Sequence, residues 1–317
     1  MNKTEAAQKT FNINLPSPIE RITWPGIGNT NASLHNEVNE TIEIYVKRDD
    51  LIHPVISGNK WRKLLPFVSE MQSKNVQHVL SFGGGYSNHL HALAYLCDQL
   101  NIKLSAIIRG DYTHNLSPTL QDMKRWGAEL RFVNRIEYKQ RHDPQYCQAL
   151  QNQFQADLLI PEGGSHALGI EGVKSFVDEF RQQLPEATHV IVPVASGGTM
   201  AGIIGNALRS DVFNLIGIAV LKGESYLEDL VNELLPPKSE FTDWHIEHEY
   251  HHKGYAKSSE TLQAFMRHFE NHTNIPLEAV YSGKCFYALD QLLRKQYFPA
   301  NSKIMITHTG GLQGKTR

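Results

Sequence analysis

The sequence predicts an α/β protein in which largely parallel, twisted sheets are flanked by helices and divided between two domains. Three observations predict it. Short β-rich runs alternate with stretches whose apolar residues recur every three or four positions, the mark of βαβ units. Glycine-rich turns at Gly83-Gly84-Gly85 and Gly197-Gly198 each sit between such a run and such a stretch. The 317 residues also exceed one comfortable hydrophobic core.

The predicted strands are His78–Phe82, Leu104–Ile108, Leu130–Val133, His189–Pro193, Leu215–Val220 and Lys303–Thr307. A helix is expected from Ser87, where Leu90, Leu93, Ala94, Cys97 and Leu100 share one side. Another is expected near Ser282, with Phe286, Leu289, Leu292 and Leu293 on one side. Ser87 and Ser282 are read as their N-caps. Residues 57–161 form the expected smaller domain, and 1–56 with 162–317 the larger one. Pro236-Pro237-Lys238-Ser239 reads as a surface loop.

Composition narrows the function classes. The chain is 41% hydrophobic and 20% charged, with a net charge of -2 and both signs interspersed. No basic stripe points to nucleic acid. No apolar run approaches a membrane span, and residues 1–20 lack the apolar core of a secretion signal. The three cysteines, Cys97, Cys147 and Cys285, form neither a disulfide framework nor a zinc pattern. His245, His248, His251 and His252 lack metal-site spacing, so no metal is expected. The cytoplasm is the expected location.

Three motifs carry chemistry. In Ser57-Gly58-Asn59-Lys60 a glycine turn presents an amine able to form an imine with a carbonyl, with Lys63 one helical turn on as its rival. In Gly83-Gly84-Gly85-Tyr86-Ser87-Asn88-His89 hydroxyl, amide and backbone N–H groups gather at a helix start, which suits a carboxylate. Ala195-Ser196-Gly197-Gly198-Thr199 is a glycine turn at another helix start, which suits a phosphate. It has neither the Lys-Ser/Thr pair of a Walker loop nor the spacing of a dinucleotide fingerprint. An amine, a carboxylate site and a phosphate site together describe an enzyme acting on a small amino acid through pyridoxal 5'-phosphate. Tyr255 and Tyr281 are further candidates, and Thr309 in His308-Thr309-Gly310-Gly311 could offer a hydroxyl to a ring nitrogen.

These motifs, with Tyr281-Ser282-Gly283-Lys284, resemble in order those of the D-cysteine desulfhydrase and 1-aminocyclopropane-1-carboxylate deaminase family, from about Leu15 to Gly314. The resemblance implies a two-domain fold type II pyridoxal-phosphate enzyme of the tryptophan synthase β type, commonly a homodimer. It implies that Lys60 is the Schiff-base lysine, that Asn88 meets the cofactor's ring oxygen, that Ala195 to Thr199 hold its phosphate, and that Thr309 contacts its pyridine nitrogen. Tyr86, Ser87, Asn88 and His89 would form the substrate-binding loop, with Ser87, Tyr255 and Tyr281 at the reacting atoms.

Two positions depart from the family pattern. Tyr86 stands where Gln usually precedes Ser-Asn. Ser282 stands where ring-opening deaminases have Glu, which removes a carboxylate expected near the pyridine nitrogen and weakens the electron sink. The expected activity is therefore α,β-elimination from D-cysteine or a similar β-substituted amino acid, giving pyruvate, ammonia and sulfide. The ring-opening deaminase, a β-replacement synthase and a non-catalytic pyridoxal-phosphate carrier or amino-acid sensor stay open.

Overall fold

The computed structural model describes residues 3–25, 41–56, 58–237 and 239–315. Ser57, expected at the head of the lysine turn, and Lys238, in the expected loop after Pro236, lie outside the described residues. In chain order the strands are β1 (Ile19–Ile22), β2 (Glu43–Lys47), β3 (His78–Gly84), β4 (Lys103–Arg109), β5 (Glu129–Val133), β6 (Leu158–Ile160), β7 (His189–Val194), β8 (Asn214–Ala219), β9 (Trp244–Glu247) and β10 (Lys303–Thr307). The helices are α1 (Lys3–Thr10), α2 (Asn59–Ser73), α3 (Asn88–Gln99), α4 (Pro118–Arg125), α5 (Arg135–Lys139), α6 (Pro144–Phe154), α7 (Ala167–Gln183), α8 (Gly198–Asn206), α9 (Tyr226–Leu234), α10 (Glu260–Thr273) and α11 (Ser282–Arg294). None of these is long and apolar enough to cross a membrane.

The strands form two sheets, ordered β5-β4-β3-β6 and β1-β2-β10-β7-β8-β9. Every pairing is parallel except β1 with β2. The expected α/β class with largely parallel sheets is what the chain adopts. All six predicted strands appear, each within a residue or two of its predicted ends. The unpredicted ones are β6, only three residues long, the edge strands β1 and β9, and β2, whose charged ends hide it.

Alternation along the strands explains why helices cover both faces. In β7, Val190, Val192 and Val194 pack with α7 and α8, whereas Ile191 faces the opposite cluster with α10 and α11. In β10, Met305 joins the first cluster and Ile304 and Ile306 the second. The smaller sheet repeats the scheme: Val79 and Ala106 pack toward α2 and α3, while Leu80, Phe82 and Ile107 pack toward Tyr138 and Leu150.

A buried ion network ties α2 to the larger sheet. Arg62 donates to both carboxylate oxygens of Asp49 (2.8 and 2.9 Å) and both of Glu179 on α7 (2.8 Å each). Lys47, at the end of β2, donates to Glu179 (2.7 Å), to Gln183 (2.7 Å) and to the Ser17 carbonyl (2.8 Å). Burial pushes the Asp49 carboxyl up, but Arg62 more than offsets this and holds it below the usual aspartate value. Arg62→Ala leaves Asp49 and Glu179 without their guanidinium, and a loss of about 3–5 kcal/mol is expected. A matching drop in the urea midpoint, with unchanged native circular dichroism, checks it.

Candidate active site

A cavity of about 580 Å³ lies where the carboxyl ends of strands from both sheets meet. Gly84 and Arg109 reach it from the smaller sheet, Val194 from the larger, and Thr309 from just beyond β10. Parallel sheets place their ligands at this edge, and the volume suits a small molecule.

Lys60 enters the cavity from the first turn of α2. The turn depends on Gly58, whose φ of +70° is open to glycine and where a Cβ would overlap the Thr309 carbonyl. Lys60 Nζ donates to Asn59 Oδ1 (2.5 Å), and Asn59 Nδ2 donates to Thr199 Oγ1 (2.6 Å). Two of the three motifs thus meet through one amide. Lys60 is half-buried and lines the cavity. Desolvation lowers its pKa to about 8, with the Glu278 carboxylate opposing the shift.

Lys63, the rival amine, lines the same cavity but has different neighbours. Its Nζ lies 3.4 Å from Ser165 Oγ, which donates to Ser196 Oγ (2.8 Å). A Cβ on Gly198 would come within 2.6 Å of both Lys63 Nζ and Ser165 Oγ. Burial first, then the Lys60 cation, lowers the Lys63 pKa well below the usual lysine value. Around this point stand Ser196, Thr199 and the start of α8, whose cap residue Gly197 (φ +72°) offers no side chain to the first-turn N–H groups. An amine, three hydroxyls and an uncapped helix start make a donor-rich cradle suited to a phosphate.

The loop from β3 into α3 forms another wall. Ser87 caps α3, its Oγ accepting from Leu90 N (3.2 Å) while its own proton stays free to donate. Asn88 Oδ1 accepts from Gln313 Nε2 (2.6 Å), so the Nδ2 end of its amide remains the donor. His89 lines the cavity differently from expectation. Ser81 spends its proton on the Ile160 carbonyl (2.6 Å), so it accepts from His89 Nε2 (2.9 Å). Burial, then Lys63, keeps the ring neutral, and its bare Nδ1 has no partner among the described residues. The side chain therefore has no donor for a carboxylate. Tyr86 is a second correction: Ser87, Asn88 and His89 line the cavity and Tyr86 does not. It precedes the cap, in the turn, where its phenol lies near that of Tyr112.

Tyr255 and Tyr281 do come together, with hydroxyls 3.4 Å apart, Tyr281 donating, and both facing the cavity. Burial raises Tyr255 to about 12, and burial with the neighbouring phenol raises Tyr281 well above the usual tyrosine value, so both are neutral at ordinary pH. Ser282 does not cap α11 as expected. Glu278 does so, its carboxylate accepting from the N–H groups of Val280 (2.6 Å), Tyr281 (2.8 Å) and Ser282 (2.7 Å). A buried carboxylate thus stands behind the site at the start of α11, held in backbone hydrogen bonds and not among the residues that line the cavity. Lys284, one turn along α11, donates to the carbonyls of Val220 (3.0 Å) and Gly254 (2.8 Å) and so fixes the loop carrying Tyr255.

Sequence reasoning missed Ser165, Gln313, Glu278 and Arg109, and the bridging role of Asn59. An acidic residue just ahead of a helix was a readable signal for Glu278. Ser165 and Gln313 are brought in by tertiary folding alone. The four histidines set aside as ligands bond elsewhere where partners exist, His248 to Glu228 (2.6 Å) and His252 to Ser259 (2.9 Å).

A family model described as pyridoxal-phosphate dependent enzyme matches residues 23–310. The chain belongs to that family. Among the relatives of this pyridoxal-phosphate dependent enzyme is the mitochondrial bifunctional D-cysteine desulfhydrase/1-aminocyclopropane-1-carboxylate deaminase of Arabidopsis thaliana, 29% identical over 96% of this chain and 79% of that one. A putative 1-aminocyclopropane-1-carboxylate deaminase of Pyrococcus horikoshii is 27% identical over 86% and 85%. A D-cysteine desulfhydrase of Klebsiella pneumoniae is 25% identical over 85% and 87%. The crystal structure of an ACC deaminase homologue superposes with a TM-score of 0.78 at 27% identity, covering 99% of this chain and 96% of that one. The resemblance seen in the motifs is borne out.

The cavity's residues fit pyridoxal phosphate. The cradle at Lys63, Ser165, Ser196 and Thr199 suits its phosphate, the Asn88 amide its ring oxygen, and the Lys60 amine its aldehyde. Gly198→Ala puts a methyl into the cradle, so affinity for pyridoxal phosphate is expected to fall by about tenfold or more. Cofactor titration against a constant far-ultraviolet circular dichroism spectrum checks this.

Proposed function

We propose that this enzyme is a lyase that removes the β-substituent of D-cysteine or a similar β-substituted amino acid, releasing pyruvate, ammonia and, from cysteine, sulfide. The observation that carries the reading is the composition of one cavity: a lysine of lowered pKa, a helix start with a free serine hydroxyl, and two neutral phenols. The only acid after Tyr281 in the ring-opening pattern is replaced by Ser282, and Glu278 is engaged in capping.

Lys60 Nζ would hold the cofactor's aldehyde, Lys63 and residues 195–199 its phosphate, Asn88 its ring oxygen, and Thr309 its ring nitrogen. When bound, pyridoxal phosphate supplies an electron sink for the bonds at the substrate's Cα. Ser87, with the start of α3, holds the substrate carboxylate and fixes the direction of its Cα–H bond. Lys60, as a free amine, is the base that would take the substrate's Cα proton. A lysine titrating near 8 is partly unprotonated at neutral pH, as a general base must be. Both phenols keep their protons at neutral pH; Tyr281 donates to Tyr255, whose own O–H is left to donate toward the departing β-group.

The relatives named as deaminases favour ring opening of 1-aminocyclopropane-1-carboxylate as a second reading. A panel of D- and L-cysteine, β-chloro-D-alanine and the cyclopropane amino acid separates the two. Pyruvate from the first group is expected; 2-oxobutyrate from the last would replace the lyase reading, and no product from any would favour a sensor. Covalent capture of pyridoxal phosphate should speed up with pH and level off above about 8, where Lys60 is deprotonated. Borohydride reduction followed by peptide mapping at each pH reads this rate, with the adduct on Lys60 and none in Lys60→Ala.

A further inference from the structure

Arg109 ends β4 directly beside Gly84, its register partner on β3, and lines the same cavity as Lys60. Its guanidinium lies 5.3 Å from the ring centre of Tyr255 and 5.6 Å from that of Tyr138. Arg141 lies against the same Tyr138 ring (4.9 Å), yet its charge is met by Glu162, which accepts its Nε at 2.6 Å. Tyr138 also donates to Glu162 (2.8 Å). Arg109 has no such partner: among the described residues its guanidinium takes part in no ion pair or hydrogen bond. Aromatic faces hold it in place but leave its in-plane N–H donors open, the arrangement arginine uses to receive oxyanions.

The charge of the cavity wall points the same way. Six basic side chains line it against two acidic ones, Glu162 and Glu233. Lys60 and Lys63 are assigned to the cofactor, and Arg141 is paired. Lys222 and Lys253 are exposed at the rim. Among the described residues Arg109 is the unneutralised cation on the inner wall beyond the two lysines, and it sits against the ring of Tyr255, whose hydroxyl meets Tyr281.

We propose that Arg109 is a specificity residue that binds a second anionic group, an oxyanion carried on the substrate's β-carbon. This deepens the lyase reading and rests on it: the preferred substrates are amino acids whose β-substituent is a sulfonate or a phosphate ester. Elimination from them moves the Cα proton to Lys60 and breaks the Cβ–S or Cβ–O bond, the electron pair leaving with sulfite or phosphate. Water then hydrolyses the enamine product to pyruvate and ammonia.

The test uses the pyridoxal-phosphate-loaded enzyme with both enantiomers of cysteate and O-phosphoserine, each against its neutral counterpart, cysteine and serine. Binding is read from the cofactor's visible spectrum, and turnover separately from pyruvate. Wild-type enzyme is expected to bind the anionic member of each pair at least about tenfold more tightly. Arg109→Gln should abolish that preference and Arg109→Lys restore part of it. No preference in the wild type overturns the proposal without any variant. Equal loss for anionic and neutral ligands in Arg109→Gln overturns it by assigning Arg109 to the α-carboxylate. An unchanged preference in that variant overturns it by leaving Arg109 a packing cation. If the binding preference is present and sensitive to Arg109 but no pyruvate forms, the subsite stands and the elimination reading falls.

Discussion

Arg62 lies two residues beyond the lysine that opens into the cavity, and its guanidinium is enclosed between Asp49 and Glu179. The helix that carries it packs into the core of the smaller sheet through Trp61, Leu64 and Val68, while both of Arg62's carboxylate partners come from elements packed around the larger one. One buried fork therefore fixes the first turn of α2 relative to both halves of the molecule. Lys60, Lys63 and the Asn59 bridge to Thr199 inherit their positions from it. A planar group with five donors can satisfy two carboxylates at once, which a lysine in its place could not.

The electrostatics of the site follow from enclosure. Burial disfavours charge, so the lysines move down and the tyrosines move up. Near neutral pH this leaves an amine able to accept a proton in the same cavity as phenols able to give one. The acid and the base are set apart by environment acting in opposite senses on groups of opposite charge type.

Much of this was legible in the chain. Strands with apolar runs and glycine turns at their ends could be placed because period and turn chemistry are local properties. The amine turn, the Ser87 cap and the 195–199 cradle could be read for the same reason, since each motif sits on one segment. What stayed hidden is nonlocal. Lys47 reads as a charged strand end, and only the fold supplies Glu179, Gln183 and the Ser17 carbonyl that let it be buried. Gln313 orients Asn88 from 225 residues away. His89 looked like a donor because a histidine's tautomer depends on its partner, here a serine whose proton was already committed. Ser282 gave no hint of Glu278, four residues earlier, whose buried carboxylate accepts from the N–H groups at the start of α11.

Gly58 presses its backbone against the Thr309 carbonyl so closely that no side chain can be accommodated. Exchange is therefore barred at the turn that presents the reactive amine, whereas Arg109 stands on the cavity wall, where a substitution changes what the cavity offers. A lineage built on this scaffold can diversify what it consumes by altering rim and wall, while the turn beneath its lysine stays frozen.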